Sequence, residues 1–268
     1  MSIASLKSAI VAGVVAASTA PAALASQIFI NYPFQGVRHI HRIESDPQWD
    51  MHIIEIDLKA PGIRFRFTEP NGPDVPGELT LETTRAYLNR VGAQIAINAG
   101  SYFINPQYPY ADNYYLGVSD GVRYSPFTYG ESAINISQDN VATIIEQDPA
   151  DRNQGIPSYN SVPKVDLYNA IGGKERIITN GINVAGTTEG CNQSDDCHNR
   201  HPRTAIGVTA DQKLLLFTVD GRQPGHSVGM TTPEVADILL EYGAVDAINL
   251  DGGGSTTLVM SQDVAARD

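Results

Sequence analysis

Apolar residues recur along this chain with two periods, and the clearest switch between them falls within residues 232–257. Val235, Ile238, Leu239 and Tyr242 are spaced as one face of a helix. Thr232 is placed as its cap, Pro233 in its first turn and Glu234 near the positive end of the helix dipole. Gly243 supplies the stop, because a residue without a β-carbon takes the left-handed conformation at little cost. Residues 244–250 then read as a short buried strand that delivers Asn249 and Asp251 to three successive glycines, Gly252, Gly253 and Gly254. An earlier stretch has the same layout. Leu81, Thr84, Leu88 and Val91 predict a helix with Thr80 as cap and Gly92 as stop. The text GAxxAIN follows each helix, at residues 92–98 and 243–249, so Asn98 and Asn249 are expected at corresponding strand ends.

Elsewhere the period is two. Ile54, Ile56 and Leu58 alternate along residues 52–58, and Ile63, Phe65 and Phe67 along residues 63–67. Pro61-Gly62 between them predicts a hairpin. Further short strands are expected at 116–118, 132–136, 141–145, 176–178, 204–208 and 213–219, the last two joined through Ala210-Asp211. Many short strands with few helices exclude a repeating strand–helix–strand unit. The expected class is mixed α/β of an α+β-like kind: a single strand-rich domain with mixed sheets and two main helices, not doubly wound.

The first 25 residues change the picture of compartment. Lys7, an uncharged apolar run over residues 10–17 and Ala23-Leu24-Ala25 form the pattern of a secretory signal cleaved after Ala25. A secreted or periplasmic protein is expected, with residues 26–268 as the domain and no stable membrane span after signal removal. The formal net charge of −12, without a basic run, argues against nucleic acid and anionic membranes as partners. Cys191 and Cys197 are the two cysteines, and in an oxidising compartment they read as a disulfide closing a tight loop. A Cys2His2 zinc site with His198 and His201 lacks standard spacing. No other close-spaced ligand set or calcium loop is evident, so neither a metal nor another cofactor is expected.

The candidate chemistry gathers at strand ends. Asn98, Arg203, Asp220 with Arg222, and Asn249 with Asp251 all stand in or beside glycine-containing turns. Each alone is an ordinary turn former; together they make the carboxylates, amides and guanidiniums of an acid–base site for an oxyanion-bearing substrate. Backbone N–H groups of Gly252, Gly253 and Gly254, with Ser255 and Thr256, add donors. Residues 101–115 are rich in tyrosine; Tyr102 and its neighbours suit sugar stacking and equally suit covering a core edge. Glu234 and His226 are weaker candidates, the first as a helix-dipole partner and the second as a loop histidine.

The stretches TTRAYLNRVGAQIAINAGSYF, YYLGVSDG, AIGGKERIITNGI, HPRTAIGV and LLLFTVDGRQPGHSVGMTTPEVADILLEYGAVDAINLDGGGSTTLV resemble the phosphodiester glycosidase family. That family includes enzymes that uncover mannose 6-phosphate by removing N-acetylglucosamine. Asn98 matches its NAG element, Arg203 its PRTA, Asp220 and Arg222 its DGR, and Asn249, Asp251 and residues 252–255 its NLDGGGS. The resemblance implies a hydrolase that cuts the anomeric carbon–oxygen bond of a sugar-1-phosphodiester, releasing free N-acetylglucosamine-like sugar and leaving a phosphomonoester on an exported or envelope glycan. It implies Asp251 or Asp220 as base or nucleophile, Arg203 and Arg222 on phosphate, and Asn98 and Asn249 orienting sugar or water. Family members continue with further strands after the glycines, so this domain is expected to lack the last of them. Two other classes compete: a metal-dependent phosphoesterase built on Asp220, Asp251 and nearby histidines, and a non-catalytic carbohydrate-binding envelope protein using the tyrosine loop.

Overall fold

The computed structural model describes residues 26–104, 109–128, 131–187 and 197–261. The proposed signal sequence, Cys191 and Tyr108 lie outside them. The strands β1 (Gln27–Phe34), β2 (Val37–Ser45) and β3 (Gln48–Asp57) form an antiparallel meander. Next come β4 (Leu79–Thr80), helix α1 (Thr84–Val91) and β5 (Ile95–Ile97), then the hairpin of β6 (Tyr102–Ile104) and β7 (Tyr110–Asn113). The middle of the chain gives β8 (Gly117–Ser119), β9 (Val122–Ser125), β10 (Ser132–Ile136) and β11 (Ala142–Gln147). The one-turn helix α2 (Pro149–Arg152), β12 (Ser161–Val162) and β13 (Asn169–Gly173) follow. The last third holds β14 (Glu175–Thr179), β15 (Ile182–Asn183), β16 (Arg203–Thr209), β17 (Lys213–Val219), α3 (Thr232–Glu241), β18 (Ala244–Asn249) and β19 (Leu258–Met260).

An eight-stranded sheet, ordered β1-β2-β3-β17-β16-β18-β14-β15, carries the architecture. A six-stranded sheet, β12-β11-β10-β13-β8-β9, accompanies it, with the small sheets β19-β5 and β4-β7-β6 beside them. The run LLLFTV of β17 shows why the large sheet is central. Leu215, Phe217 and Val219 pack with Val235, Ile238 and Leu239 of α3, whereas Leu214 and Leu216 pack with Ile134, Ile136 and Ile144 of the six-stranded sheet. A strand buried on both faces reads as a continuous apolar run, and burying one such side chain as large as Phe217 is worth roughly 2–3 kcal/mol. The fold is therefore strand-dominated with three helices, of which α1 and α3 are the two expected, and the α/β label fits only loosely.

Three local expectations need correction. Residues 63–67 form no strand, so the hairpin through Pro61-Gly62 is absent. The edges of β3 are already taken by β2 and β17, and Ile63, Phe65 and Phe67 instead lie half-buried against the second core cluster. The caps also shift: Thr231 caps α3 through a capping box with Glu234, and Thr83 caps α1. Both helices do stop at the expected glycines, Gly92 and Gly243, whose φ angles of +69° and +86° only glycine adopts without strain.

Candidate functional site

Where β18 leaves the large sheet, residues 253–255 wrap into a single 3₁₀ turn. Asp251 stands just before it. One carboxylate oxygen accepts from the Gly252 N–H at 3.1 Å, and among the described residues the group forms no ion pair. Asn98 fixes this corner. Its Nδ2 donates to the Asp251 carbonyl at 2.8 Å, while its Oδ1 accepts from Thr204 Oγ1 at 2.8 Å and Thr257 N at 3.0 Å. The Asp251 N–H in turn donates to the Ala99 carbonyl at 3.0 Å. The next residues fit only because Gly100 has no side chain: a β-carbon there would sit 2.5 Å from the Gly172 carbonyl oxygen. With its carboxamide bonded at both ends, Asn98 is a positioning residue for the Asp251 corner.

Arg222 lies over the same turn. A β-carbon on Gly253 would come within 3.3 Å of Arg222 Nη2, so the bare glycine backbone lets the guanidinium approach. Arg222 donates through Nε to His201 Nδ1 at 3.3 Å and pairs with no carboxylate among the described residues. Asp220, two residues earlier, is engaged elsewhere: its Oδ2 lies 3.0 Å from His226 Nε2. The structure thus brings Asn98, Asp251, the glycine turn and Arg222 together, and places Asp220 and His226 as a pair of their own.

Other expected residues are not presented to a ligand. Arg203 is 3% exposed, with Nε donating to the Met230 carbonyl and Nη2 to the Asn199 carbonyl, each at 2.9 Å. It fastens loops beneath the turn. Asn249 is also 3% exposed; its Nδ2 donates to the adjacent Leu250 carbonyl, and its Oδ1 has no partner. The Thr256 hydroxyl is likewise buried without a partner. The Gly253 N–H donates to the Pro202 carbonyl, and the Gly252 N–H to Asp251, so two of the three glycine donors are spent inside the loop. Glu234 is used twice, in the capping box of α3 and in an ion pair with Arg200 at 2.6 Å. Cys197 is buried, its sulfur 3.4 Å from Glu175 Oε2; its expected partner falls outside the described residues.

A groove of about 1870 Å³ runs past Asp251, lined among others by Asn98, Gly100, Tyr102, Tyr115 and Gly172. Tyr102 of this lining is exposed, as are its neighbour Phe103 and Tyr114, whose rings meet edge-to-face at 6.5 Å. Two groups here escaped sequence reading. Glu131 is buried beside β10, and burial pushes its carboxyl up to about 8 despite N–H donors from Leu116 and Thr128. Tyr115 is raised to about 12, first by burial and then by the negative charges of Glu131 and Asp251, between which it lies electrostatically. The available signal was a lone acid directly before the unbroken buried strand SAINI.

Residues 91–268 match the family model described as phosphodiester glycosidase. Human N-acetylglucosamine-1-phosphodiester alpha-N-acetylglucosaminidase is 42% identical over 64 residues, 24% of this chain and 12% of the human protein. An uncharacterized SPbeta prophage-derived protein of Bacillus subtilis is 43% identical over 61 residues, 23% of this chain and 9% of that protein. The chain therefore spans only a small part of the curated relatives it matches. In fold it is similar to the catalytic domain of zebrafish N-acetylglucosamine-1-phosphodiester alpha-N-acetylglucosaminidase, auto-inhibited by its pro-peptide, with a TM-score of 0.60 and 23% identity over 91% of this chain and 75% of that one. It is similar also to a hypothetical protein from Synechocystis, with a TM-score of 0.65 and 19% identity over 91% of this chain and 60% of that one. With its match running over the site and most of the sheet that carries it, the chain belongs to the phosphodiester glycosidase family.

Proposed function

We propose that this protein hydrolyses a sugar-1-phosphodiester at the anomeric carbon. Water adds to that carbon, the bond to the phosphate oxygen breaks, and the products are a free sugar and a phosphomonoester. One observation carries the reading: among the described residues a carboxylate without an ion pair, Asp251, and an arginine without a carboxylate partner, Arg222, meet at one glycine turn beside a groove. The arginine suits the phosphate oxygens, whose negative charge grows as the bond breaks. Phosphate is already a good leaving group, so charge neutralisation counts for more than a strong general acid. Asp251 is assigned to activate water or attack the anomeric carbon because it lines the groove, and Asp220 is not, because it stands outside that lining. Tyr102, Phe103 and Tyr114 offer apolar ring faces for the sugar.

The substrate class proposed is N-acetylglucosamine linked through phosphate to an exported or envelope glycan, by analogy with the human and zebrafish relatives. Export after signal cleavage and a disulfide between Cys191 and Cys197 belong to the same proposal. Among the described residues no helix is long and apolar enough to cross a membrane.

The test is a panel of sugar-1-phosphodiesters with free reducing sugar as readout. Asp251→Asn is expected to lower turnover by about 10³-fold or more, and Asp220→Asn by no more than about tenfold, within the range set by general acid–base groups. Unchanged turnover in Asp251→Asn would overturn the assignment.

A further inference from the structure

Four of the six histidines lie away from the groove, on the meander β1–β3 and the loop that follows β17. His41 and His52 are directly paired across β2 and β3, which puts both on one sheet face; Asp50 and His39 occupy the same face two residues away. Three imidazole Nε2 atoms surround the single carboxylate of Asp50: His41 at 2.7 Å, His226 at 3.6 Å and His52 at 4.0 Å. The ligand atoms of His41, Asp50 and His52 all lie within 4.8 Å of one another. Ligands on a tetrahedral zinc ion are roughly 3.3 Å apart, given metal–ligand distances near 2.0–2.2 Å. The separations among His41, Asp50 and His52 bracket that value; His226, outside that mutual 4.8 Å set and 3.0 Å from Asp220 Oδ2, would turn from Asp220 to Asp50 to become the fourth ligand.

The surroundings are built to hold these rings. His52 Nδ1 is 2.9 Å from His39 Nε2, the outer contact that orients a metal-bound imidazole. The His41 and His52 rings stack at 4.3 Å. The loop bearing His226 is clamped to the meander: the Asp220 N–H donates to the Asp50 carbonyl at 2.9 Å, and the Asp50 N–H to Ser227 Oγ at 3.2 Å.

We propose that His41, Asp50, His52 and His226 bind one late first-row divalent cation, zinc foremost, which pins the loop of residues 220–228 to the N-terminal meander. Three imidazoles and one carboxylate are a borderline-soft donor set suited to zinc and unsuited to calcium or magnesium. Three of the four ligands precede residue 91, where the family match begins, so the site lies largely outside the matched region. Because Arg222 sits on the pinned loop, the cation would also steady the phosphate-binding side of the turn; only that coupling rests on the glycosidase reading. Spacing along the sequence hid the set, since its members alternate on two strands and end in a distant loop, and the expectation of no metal is revised accordingly.

The test uses the full, untagged chain, stripped with chelator and titrated with Zn²⁺ by calorimetry and with Co²⁺ by visible absorption. One equivalent is expected to bind, with the d–d bands of four-coordinate cobalt. His41→Ala and His52→Ala should each weaken binding at least about 100-fold, and His39→Ala about tenfold, the loss typical of a residue that only orients a ligand. His198→Ala, on the other side of the histidine inventory, should bind as the parent does, and circular dichroism checks that each variant is folded. In the unmodified protein, zinc should slow hydrogen exchange across residues 220–228. Absence of stoichiometric binding, or binding that survives both His41→Ala and His52→Ala, would overturn the site; exchange unaffected by zinc would overturn the pinning. Neither readout involves sugar release.

Discussion

Asn98 and Asn249 close two stretches with the same text, GAxxAIN, each reached from a helix that stops at a left-handed glycine. Their fates differ. Asn98 follows β5, a three-residue strand that among the described residues pairs with β19 alone, and its carboxamide reaches out to bond Asp251, Thr204 and Thr257. Asn249 ends β18, between β16 and β14 inside the eight-stranded sheet, where it is buried with one oxygen unpartnered. The same local code builds the same helix, stop and strand twice. What the terminal amide does is set by whether its strand lies in a crowded sheet or at a margin where another loop needs holding.

The comparison can be broken most forcefully at Asn98. Replacing it by alanine leaves three part-buried groups, Thr204 Oγ1, the Thr257 N–H and the Asp251 carbonyl, without this partner, a cost of about 3 kcal/mol at the lower figure of about 1 kcal/mol for each. Denaturant melts should register that loss, and sugar release should drop by about 10²-fold as the Asp251 corner loosens. Comparable in size is a pH effect at Glu131, whose carboxylate accepts from the N–H of the groove-lining Leu116. The Glu131 carboxyl has an ordinary value of 4.5 and is raised to about 8 in the fold, so between those values the folded state holds a proton that the unfolded chain has released. Stability is therefore fullest below pH 4.5, falls as pH rises toward 8, and is level above. At about 1.4 kcal/mol per pH decade over about 3.5 decades the loss is on the order of 5 kcal/mol, and Glu131→Gln should remove this dependence in melts run from pH 4 to 9.

The two arginines offer a sharper cut of the same kind. Arg203→Ala should destabilise by about 2–3 kcal/mol, because backbone carbonyls of Met230 and Asn199 lose buried donors. Arg222→Ala should leave the melt nearly unchanged and raise KM for a phosphodiester about 10- to 100-fold, equivalent to about 1.4–2.7 kcal/mol of lost charge-assisted hydrogen bonding. A thermal loss in Arg222→Ala equal to that in Arg203→Ala would dissolve the distinction between them. The smallest effect belongs to Asn249→Leu. Its side chain gives up one short-range bond to Leu250 and an orphaned oxygen, so stability and turnover should each stay within about 1 kcal/mol of the parent. A large loss of activity there would restore the symmetrical role expected from the repeated text.

Much of the secondary structure was legible because its signals are local. The strands at 132–136 and 213–219, both helices and both glycine stops follow from periodicity and backbone sterics within a dozen residues. The hairpin at Pro61-Gly62 was misread because an alternating strand does not say which partner will occupy its edges, and β17 claimed one edge of β3. The cap of α3 was off by one position because Thr231 and Thr232 are both good caps, and only the reciprocal bond with Glu234 chooses.

By itself the sequence determined the elements, the glycine turn and the residue types gathered around it, since propensity, period and backbone freedom act over short distances. Tertiary structure alone decided which of those residues face a ligand. Arg203 and Arg222 are nineteen positions apart and chemically alike, yet one is sealed under two carbonyls and the other lies open over Gly253. The same holds for the histidines beside Asp50, brought together from two strands and a loop. Burial and the competition for hydrogen-bond partners depend on every neighbour in space, and no single stretch of chain contains that information. Asp251 is where the two kinds of knowledge meet: its place before the glycines is written in the text, and its lack of an ion pair among the described residues is written only in the fold.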